Sequence, residues 1–537
     1  MKRVISLLLA ILTVVAIFAG AVSCGDSGSG ETNKESNKET STNKETESSE
    51  SKPHESSIFD TYLDVNDNLP DNLNFGGEAI NILSQDREGW TSDEVSVASI
   101  NSTPINDAIY LRNQTVSDRI NVKIKPNKVQ NDSPDEVIKL AQTDVNSGLK
   151  TYQILVCAAV SVAHASATDG GLFRNLINAP HLDLDQVWWS SGYTDTMSCN
   201  PDEDNPSKEV LFSVTGAISL SMYRFAFVTL FNKNLFDMYH VPYLYDTVTE
   251  GDWTLDYQYD LIGTFYKSLG GSDEKGENQY GLVLGDAISV DPYWSACDIH
   301  LATKNSTTKR YEVALDTTQI SNVVDKIAKL FNNKSTYNVG ASQGDYEQAD
   351  IRAKFAAGEA AMVTLRLLEV ENDDLRNMSD EYGIVPMPKY SDSQTNYYTY
   401  LHDQFSVWAV LKSVSDEEMD MVCAFLEAMA SESYRRVTPN YYNTALKIKL
   451  GTDEESWKML DMIFERVYMD AGILYYGPLG APSYNFRKIV SDTVKTGTNT
   501  TSSDYNSTFK RALNRKLGQL NDNLVIAAKE KIADLVE

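Results

Sequence analysis

The sequence is poor in cysteine, histidine and positive charge. Its 537 residues include five cysteines and six histidines, and 76 acidic residues outnumber the 47 lysines and arginines, which gives a net charge of −29. The cysteines show no CxxC spacing, so neither a zinc site nor a disulfide-built scaffold is indicated, although a bridge between Cys199 and Cys297 stays open. Because so acidic a surface repels phosphate backbones, we expect no binding to nucleic acid.

The folded part of the chain also lacks long apolar runs and common catalytic motifs. No segment after residue 23 approaches the length of a membrane-spanning helix. A GxSxG elbow, an HExxH helix and a phosphate-binding loop are all absent from the sequence. The acidic, glycine-containing stretch from Gly270 to Tyr280 lacks the alternating oxygen ligands of a calcium loop. We therefore expect neither a cofactor nor a metal.

The first residues read as an export signal. Lys2 and Arg3 precede an apolar run over residues 4–19, and the run is followed by small residues that lead to Cys24. This pattern predicts a signal peptide over 1–23 and a lipid-modified Cys24, as at a bacterial lipobox, although Ala21 stands where leucine is usual. The alternative is an ordinary secretory signal that happens to contain a cysteine.

A polar segment follows the cysteine. From Gly25 to Ser57 there is no Ala, Val, Ile, Leu, Met, Phe, Tyr or Trp, and a Ser/Thr-Asn-Lys-Glu unit recurs. Such a segment cannot bury a core, so residues 24–57 are predicted to form a lipidated, disordered linker. Signal, cysteine and linker together predict a protein tethered by lipid to the extracellular face of a Gram-positive-like cell membrane, because two acyl chains on one cysteine anchor firmly.

Strand-like and helix-like segments alternate after the linker. Apolar runs near Ile80 and Ile154 have the length of strands, and Ser133-Pro134 has the pattern of a helix N-terminus that Gly148 can close. The alternation restarts after residue 217, a capping box is predicted at Ser415, and the last hundred residues are helical in character. This order predicts an α/β protein with mainly parallel sheets in two successive units.

Six segments of the folded part share their order and spacing with a known family. They are Phe231–Phe236, Glu250–Asp256, Phe355–Met362, Tyr382–Tyr390, Thr438–Tyr442 and Asp453–Leu460. In that order and spacing they resemble the extracellular solute-binding proteins of the carbohydrate-transporter type, family 1, as found in clostridia-like Gram-positive bacteria. The resemblance covers nearly all of the chain from Gly76 onward.

The resemblance implies a two-lobed, periplasmic-binding-protein-like fold of type 2, with hinge crossovers and a helical C-terminal region. The chain would cross between lobes near Ser219–Tyr223, near Val363–Arg366 and near Ala430. Lobe 1 would then comprise residues 58–220 and 365–429. Lobe 2 would comprise residues 221–364 and 430–537.

A sugar presents hydroxyl groups in fixed directions and apolar C–H faces, so its site needs aromatic rings together with planar charged groups. Residues of these types occur in predicted loops and at the predicted crossings. Trp189 could instead be core, Trp90 a packing residue, and Arg224 and Arg366 structural ion-pair residues; Trp253 is assigned to packing. The candidate ligand-binding residues are Trp90, Trp189, Tyr223, Arg224, Trp294, Arg366, Tyr400 and Asp403, with His402 a weaker one.

These observations predict a lipid-anchored receptor, not an enzyme, that binds a sugar or oligosaccharide between two lobes. The resemblance implies that it delivers this ligand to the permease subunits of an ABC importer, and we expect a monomer. A secreted glycoside hydrolase is one alternative, because 76 acidic residues offer many carboxylate pairs. A surface glycan-binding protein without a transporter is another.

Overall fold

The chain's fold is seen in a computed structural model. The structure describes residues 65–130, 133–168, 171–200, 209–271, 277–285, 288–339, 346–443, 454–499, 501 and 510–529. The predicted signal peptide, Cys24 and the linker lie outside these residues. All of the described residues belong to one compact unit, Ser56–Glu537.

The strands and helices alternate through most of this unit. The strands are β1 (Glu78–Asp86), β2 (Val122–Gln130), β3 (Ile154–Ala158), β4 (Phe227–Asn232), β5 (Tyr280–Gly285), β6 (Ala302–Lys304), β7 (Tyr311–Val313), β8 (Thr336–Val339), β9 (Ala360–Arg366), β10 (Tyr382–Val385), β11 (Thr399–Tyr400), β12 (Ser406–Val410) and β13 (Val467–Tyr468). The helices that precede β12 are α1 (Pro104–Ile120), α2 (Pro134–Ser147), α3 (Ala159–Thr168), α4 (Ser191–Met197), α5 (Ser221–Arg224), α6 (Lys233–Met238), α7 (Leu244–Thr249), α8 (Leu255–Phe265), α9 (Asp291–Ala296), α10 (Thr317–Phe331), α11 (Tyr346–Ala356) and α12 (Asp373–Arg376).

The described residues beyond β12 are mainly helical, as predicted for the C-terminal region. A π-helical turn at Ser433–Val437 joins the first two of these helices. The helices are α13 (Asp416–Glu432), α14 (Thr438–Tyr441), α15 (Glu454–Glu465), α16 (Ala471–Leu474), α17 (Tyr476–Leu479), α18 (Pro482–Thr496) and α19 (Lys510–Lys529).

The first sheet has the strand order β12-β3-β1-β2. Strands β1, β2 and β3 run parallel, whereas β12 runs antiparallel to β3. The side chains of Ile80, Ile82 and Ile154 are fully buried, because helices cover the sheet and turn the strands into core. Helix α1 packs against β2, and α2 packs against β1 and β3.

The second sheet has the order β10-β4-β9-β5-β8. Strands β5, β8 and β9 run parallel, and β4 runs antiparallel to both β9 and β10. Because β10 belongs to this sheet, the chain returns to the first sheet between Val385 and Ser406, and not near Arg366 as expected. The predicted lobe boundaries themselves stay a prediction.

Local sequence signals account for several element ends. Ser415 and Glu418 form the predicted capping box at the start of α13. Pro134 occupies the first turn of α2, and Gly148 ends that helix with a left-handed φ of 69°. Trp253 is fully buried and donates its indole N–H to the carbonyl of Pro386 at 2.9 Å, which agrees with a packing role.

Within the described ranges, no helix combines the length and the apolar character that crossing a bilayer requires.

Close packing of the second sheet leads to a stability prediction. A Cβ atom on Gly281, in β5, would lie 2.1 Å from the carbonyl oxygen of Ile262 in α8. We expect Gly281→Ala to lower the free energy of unfolding by about 3 kcal/mol, since the clash is with backbone. Gly263, in the same helix, has open space around it. Gly263→Ala should therefore raise the free energy of unfolding by about 0.8 kcal/mol in the same urea titration, and equal effects of the two changes would contradict this packing.

Candidate ligand-binding site

The carboxyl edges of the two sheets meet at one junction. Ala226, just before β4, pairs with Leu401, and the backbone N–H of His402 donates to the carbonyl of Phe225 at 3.0 Å. Strand β4 begins opposite the end of β9, where Phe227 pairs with Arg366. Loops that leave the carboxyl ends of strands in both sheets therefore converge here, which is where α/β proteins bind ligands.

Trp90 lies in the loop that follows β1 and is half-buried. The Cζ atoms of two guanidinium groups lie over its ring, that of Arg87 at 3.5 Å and that of Arg366 at 4.3 Å from the centroid. Phe225 and His402 meet the ring edge-on, with centroids 5.4 and 5.5 Å away. Cation–π and edge contacts thus hold this indole at the junction.

Arg366 ends β9 and is 2% exposed. Its Nη2 donates to Oε1 of Glu369 at 2.7 Å. Among the described residues, its Nε and Nη1 have no hydrogen-bond partner. Buried polar atoms are normally paired, so two free donors on one buried guanidinium are unusual in a structural ion pair.

His402 is buried beside this guanidinium. Burial and the positive charges of Arg366, Arg487 and Arg87 hold the pKa of its imidazole well below the usual range. The ring is therefore neutral at physiological pH. Within the described part of the chain, its Nδ1 has no partner.

Asp403 follows His402 and is half-buried. Burial and the nearby Asp291 raise the pKa of its carboxyl to about 6, and Arg487 opposes this rise. Asp291, at the start of α9, is itself buried and accepts two hydrogen bonds from the guanidinium of Arg487, in α18. A carboxylate, an ion pair and a neutral imidazole are thus gathered at the junction.

Two tyrosines from the C-terminal region complete the group. Tyr484 is 55% exposed, and its ring centroid lies 5.4 Å from that of Tyr476. The Arg487 Cζ lies 4.7 Å from the Tyr484 centroid. Burial and the charges of Tyr484 and Asp403 raise the pKa of Tyr476, and the charge of Arg487 opposes this rise. An exposed aromatic surface next to charged hydrogen-bonding groups can bind a polyhydroxylated ligand.

Five of the residues predicted from the sequence meet at this junction: Trp90, Arg366, Tyr400, Asp403 and the weaker candidate His402. Tyr400 is buried, and its ring centroid lies 5.8 Å from that of Phe227. Burial and the charges of Asp403 and Asp291 raise its pKa, so the phenol stays protonated. Tyr400 is therefore a packing residue at the junction and offers no exposed surface to a ligand.

The other predicted tryptophans lie in the core. The indole nitrogens of Trp188 and Trp189 donate to the two carboxylate oxygens of Glu427, at 3.1 and 2.9 Å. Burial raises the pKa of Glu427 to about 7. Trp294 is 2% exposed, and its ring meets that of Phe486 edge-on at 4.8 Å. We leave Trp189 and Trp294 out of the proposed site.

The predicted pair Tyr223 and Arg224 lies in α5, at the place of the first predicted crossing. The Tyr223 ring packs edge-on against Phe464 at 5.1 Å, and burial raises the pKa of its phenol to about 12. Arg224 is 6% exposed and forms ion pairs with Asp93 and Glu371. This is the structural ion-pair arrangement that the sequence left open.

The sequence did not reveal Asp291, Tyr476, Tyr484 and Arg487 as site residues. Only Asp291-Pro292, a common helix start, carried any signal, and it pointed to the neighbouring Trp294.

In the described part of the chain, no cluster of three histidine, cysteine or acidic residues could hold a metal. Cys199 and Cys297 are both buried free thiols.

A separate cavity of about 560 Å³ lies at the outer edge of the first sheet, between α1 and β2. Its wall includes Tyr110, Asn113 and Lys128. Strand β2 is the edge strand farthest from β12 in this sheet. The cavity is therefore distinct from the junction.

No protein-family model matches the sequence, and a comparison with curated proteins gives no match. Solved structures do share the fold. One is a sugar transporter from Rhizobium etli in an open conformation, at 13% identity and a TM-score of 0.51, covering 83% of this chain and 99% of that one. Another is the cyclic alpha-maltosyl-1,6-maltose binding protein of Arthrobacter globiformis, at 12% identity and a TM-score of 0.50, covering 83% of this chain and 100% of that one. The predicted α/β architecture of the two-lobed binding proteins is thereby confirmed as the fold.

The raised pKa of Asp403 predicts a stability effect. The folded state holds the proton of Asp403 more tightly than the unfolded chain does. Ionisation of Asp403 therefore lowers the free energy of unfolding progressively between about pH 4 and pH 6. The full loss is present above pH 6 and is absent below pH 4. Asp403→Asn should therefore raise the free energy of unfolding by about 2 kcal/mol at pH 7.5 and leave it unchanged at pH 3.5. Urea titrations at both pH values measure this. The exposed Asp392→Asn is the control, and an equal gain at the two pH values would contradict the assignment.

Proposed function

We propose that this protein is a lipid-anchored extracellular receptor that binds a sugar or oligosaccharide at the junction of its two sheets and delivers it to an ABC importer. The observation that carries the proposal is the grouping of Asp403, Arg487 and Tyr484 where the two carboxyl edges meet. These residues come from distant parts of the chain. No catalytic step is needed for this function.

Each member of the group has a role that suits a carbohydrate. Tyr484 and Tyr476 offer faces on which apolar C–H groups can stack. The Asp403 carboxylate accepts hydrogen bonds from hydroxyl groups, and the Arg487 guanidinium donates them. Trp90, from the loop after β1 of the first sheet, and Arg366, from the end of β9 of the second sheet, would border the site. The mixture of donors and acceptors matches hydroxyl groups, which both donate and accept.

Ligand binding would change how close the two sheets lie to each other at the junction. A sugar that contacts groups on both sides favours the arrangement in which they are close, and it does so only to the extent of its differential affinity. The importer would then recognise this ligand-bound arrangement. The fold supports this reading, because solved structures that share it are described as a sugar transporter and a cyclic maltosyl-maltose binding protein.

The remaining parts of the proposal come from the sequence. Cys24 would carry the lipid, and residues 24–57 would hold the folded part away from the membrane. The partners would be the permease subunits of the importer, and the receptor would act as a monomer at the outer face of the membrane. A glycan-binding protein without a transporter would use the same site, and neighbouring permease genes would separate the two.

A glycoside hydrolase is the second candidate, because a carboxyl of pKa about 6 near a second carboxyl resembles a general acid with its partner. Against it, Asp291 is buried and paired to Arg487, which leaves it unsuited to attack a sugar or to activate water. We expect no release of reducing ends from oligosaccharides by the pure protein. Release that is abolished by Asp403→Asn would establish the hydrolase instead.

The receptor proposal predicts a selective effect of Tyr484. In a thermal-shift screen against mono- and oligosaccharides, we expect at least one sugar to raise the melting temperature. Tyr484→Ala should weaken binding of that sugar about tenfold in calorimetry, since one stacking face is lost, and should leave the melting temperature of the free protein within about 2 °C.

Tyr259→Ala is the matched control, because Tyr259 is 40% exposed on α8 and belongs to no part of the proposed site. It should change neither affinity nor stability. Equal affinity in Tyr484→Ala and the unmodified protein would remove Tyr484 from the site, and the absence of any binding sugar would count against the receptor itself.

A further inference from the structure

The loop that carries Trp90 also reaches the segments that connect the two sheets. We call residues 87–95 the coupling loop. The carboxylate of Glu94, in this loop, accepts hydrogen bonds from the backbone N–H groups of Leu220 and Ser221, both at 2.8 Å. Glu94 is 2% exposed. The coupling loop is thereby fixed to the first crossing, which leads through α5 to β4.

Arg224 joins the same loop to the second sheet. Its Nη1 donates to Oδ1 of Asp93 at 2.7 Å, and its Nε and Nη2 donate to the two oxygens of Glu371 at 2.8 and 3.1 Å. Asp93 lies three residues after Trp90, and Glu371 lies five residues after Arg366. One guanidinium therefore ties both segments whose side chains meet at the Trp90 ring.

Arg112, in α1, extends these contacts to the turn that follows α13. Its Nη2 donates to the backbone carbonyls of Glu94 and Val95 at 3.2 and 2.8 Å, and its Nη1 donates to Oγ of Ser433 at 3.2 Å. Ser433 begins the π-helical turn between α13 and α14, and π-helical turns are frequent at functional sites. The coupling loop is thus linked directly to the start of α5, through Arg112 to the turn after α13, and through Arg224 to the segment after β9.

The charges in this network compensate one another only while Arg224 is present. Asp93 and Glu371 are each 25% exposed, and both carboxylates bind the same guanidinium. The two negative charges raise the pKa of Arg224 well above its usual value, whereas burial opposes this. Without the guanidinium, two carboxylates would face each other in a partly buried place and would repel.

From these contacts we infer that Arg224 is a positioning residue. It fixes the position of Trp90 at the proposed ligand site by holding the coupling loop against α5 and the segment after β9. The inference rests on the proposed function only for its effect on ligand binding. Arg224 itself touches no ligand. A change in the arrangement of the crossings is passed to Trp90 through Asp93.

The test follows the Trp90 ring directly. Protein produced with 5-fluorotryptophan should give a fluorine resonance for each of its seven tryptophans, and Trp90→Phe assigns one of them. Arg224→Met should shift and broaden the Trp90 resonance while the other six stay in place. Arg119→Met is the matched control, because Arg119 makes a two-bond ion pair with Asp67 and does not contact the coupling loop. This control should leave the Trp90 resonance unchanged.

A second variant keeps the test decisive if Arg224→Met does not fold. Asp93→Asn removes the loop carboxylate that pairs with Arg224 and retains the pair between Arg224 and Glu371, and it should also shift the Trp90 resonance. For a sugar found by thermal shift, either variant should weaken binding about tenfold. An unmoved Trp90 resonance in the folded variants would overturn the inference. Because the resonance is read without ligand, absence of any binding sugar would count against the proposed function and leave this result standing.

Discussion

Two strands that run antiparallel to their neighbours bring the carboxyl edges of the two sheets together. Strand β12 is antiparallel to β3, and β4 is antiparallel to β9, so each begins at the edge where the parallel strands end. The residues just before them pair directly, Ala226 with Leu401, and this pairing joins the two edges. The loops after β1, β5 and β9 then have one place to converge. Trp90, Asp291 and Arg366 meet there for this reason.

The junction differs chemically from the rest of the fold. Elsewhere the sheets carry mainly apolar side chains, with a few buried polar ones such as Thr229 and Thr364, and β5 and β9 are buried along their whole length. At the junction, Arg366 and His402 keep buried nitrogen atoms that no described residue pairs, and each such atom costs about 1–3 kcal/mol. The Arg224 network nearby is buried as well, but all three of its donor atoms have partners. Buried atoms without a partner also occur elsewhere among the described residues, as at Gln258 and Tyr382, so it is their combination with charged groups that marks the junction as a candidate site.

The sequence predicted what depends on neighbours along the chain. The capping box at Ser415, the end of α2 at Gly148 and the packing of Trp253 follow from local signals, and all three are present. It predicted less well what depends on contacts across the fold. Trp189 and Trp294 have the right side chains for a sugar site, yet only the fold shows that Glu427 and Phe486 cover them. Tyr484 and Arg487 were missed because they lie some eighty residues after Asp403, in a helix whose sequence does not distinguish a ligand-facing side from a solvent-facing one.

We propose that the solute binds between the carboxyl edges of the two sheets. A crystal structure with a sugar that raises the melting temperature would show where the sugar lies. We expect electron density for the sugar in contact with Asp403, Arg487 and Tyr484, with Trp90 within reach. Density in the cavity between α1 and β2, or on the outer surface with the junction empty, would contradict it.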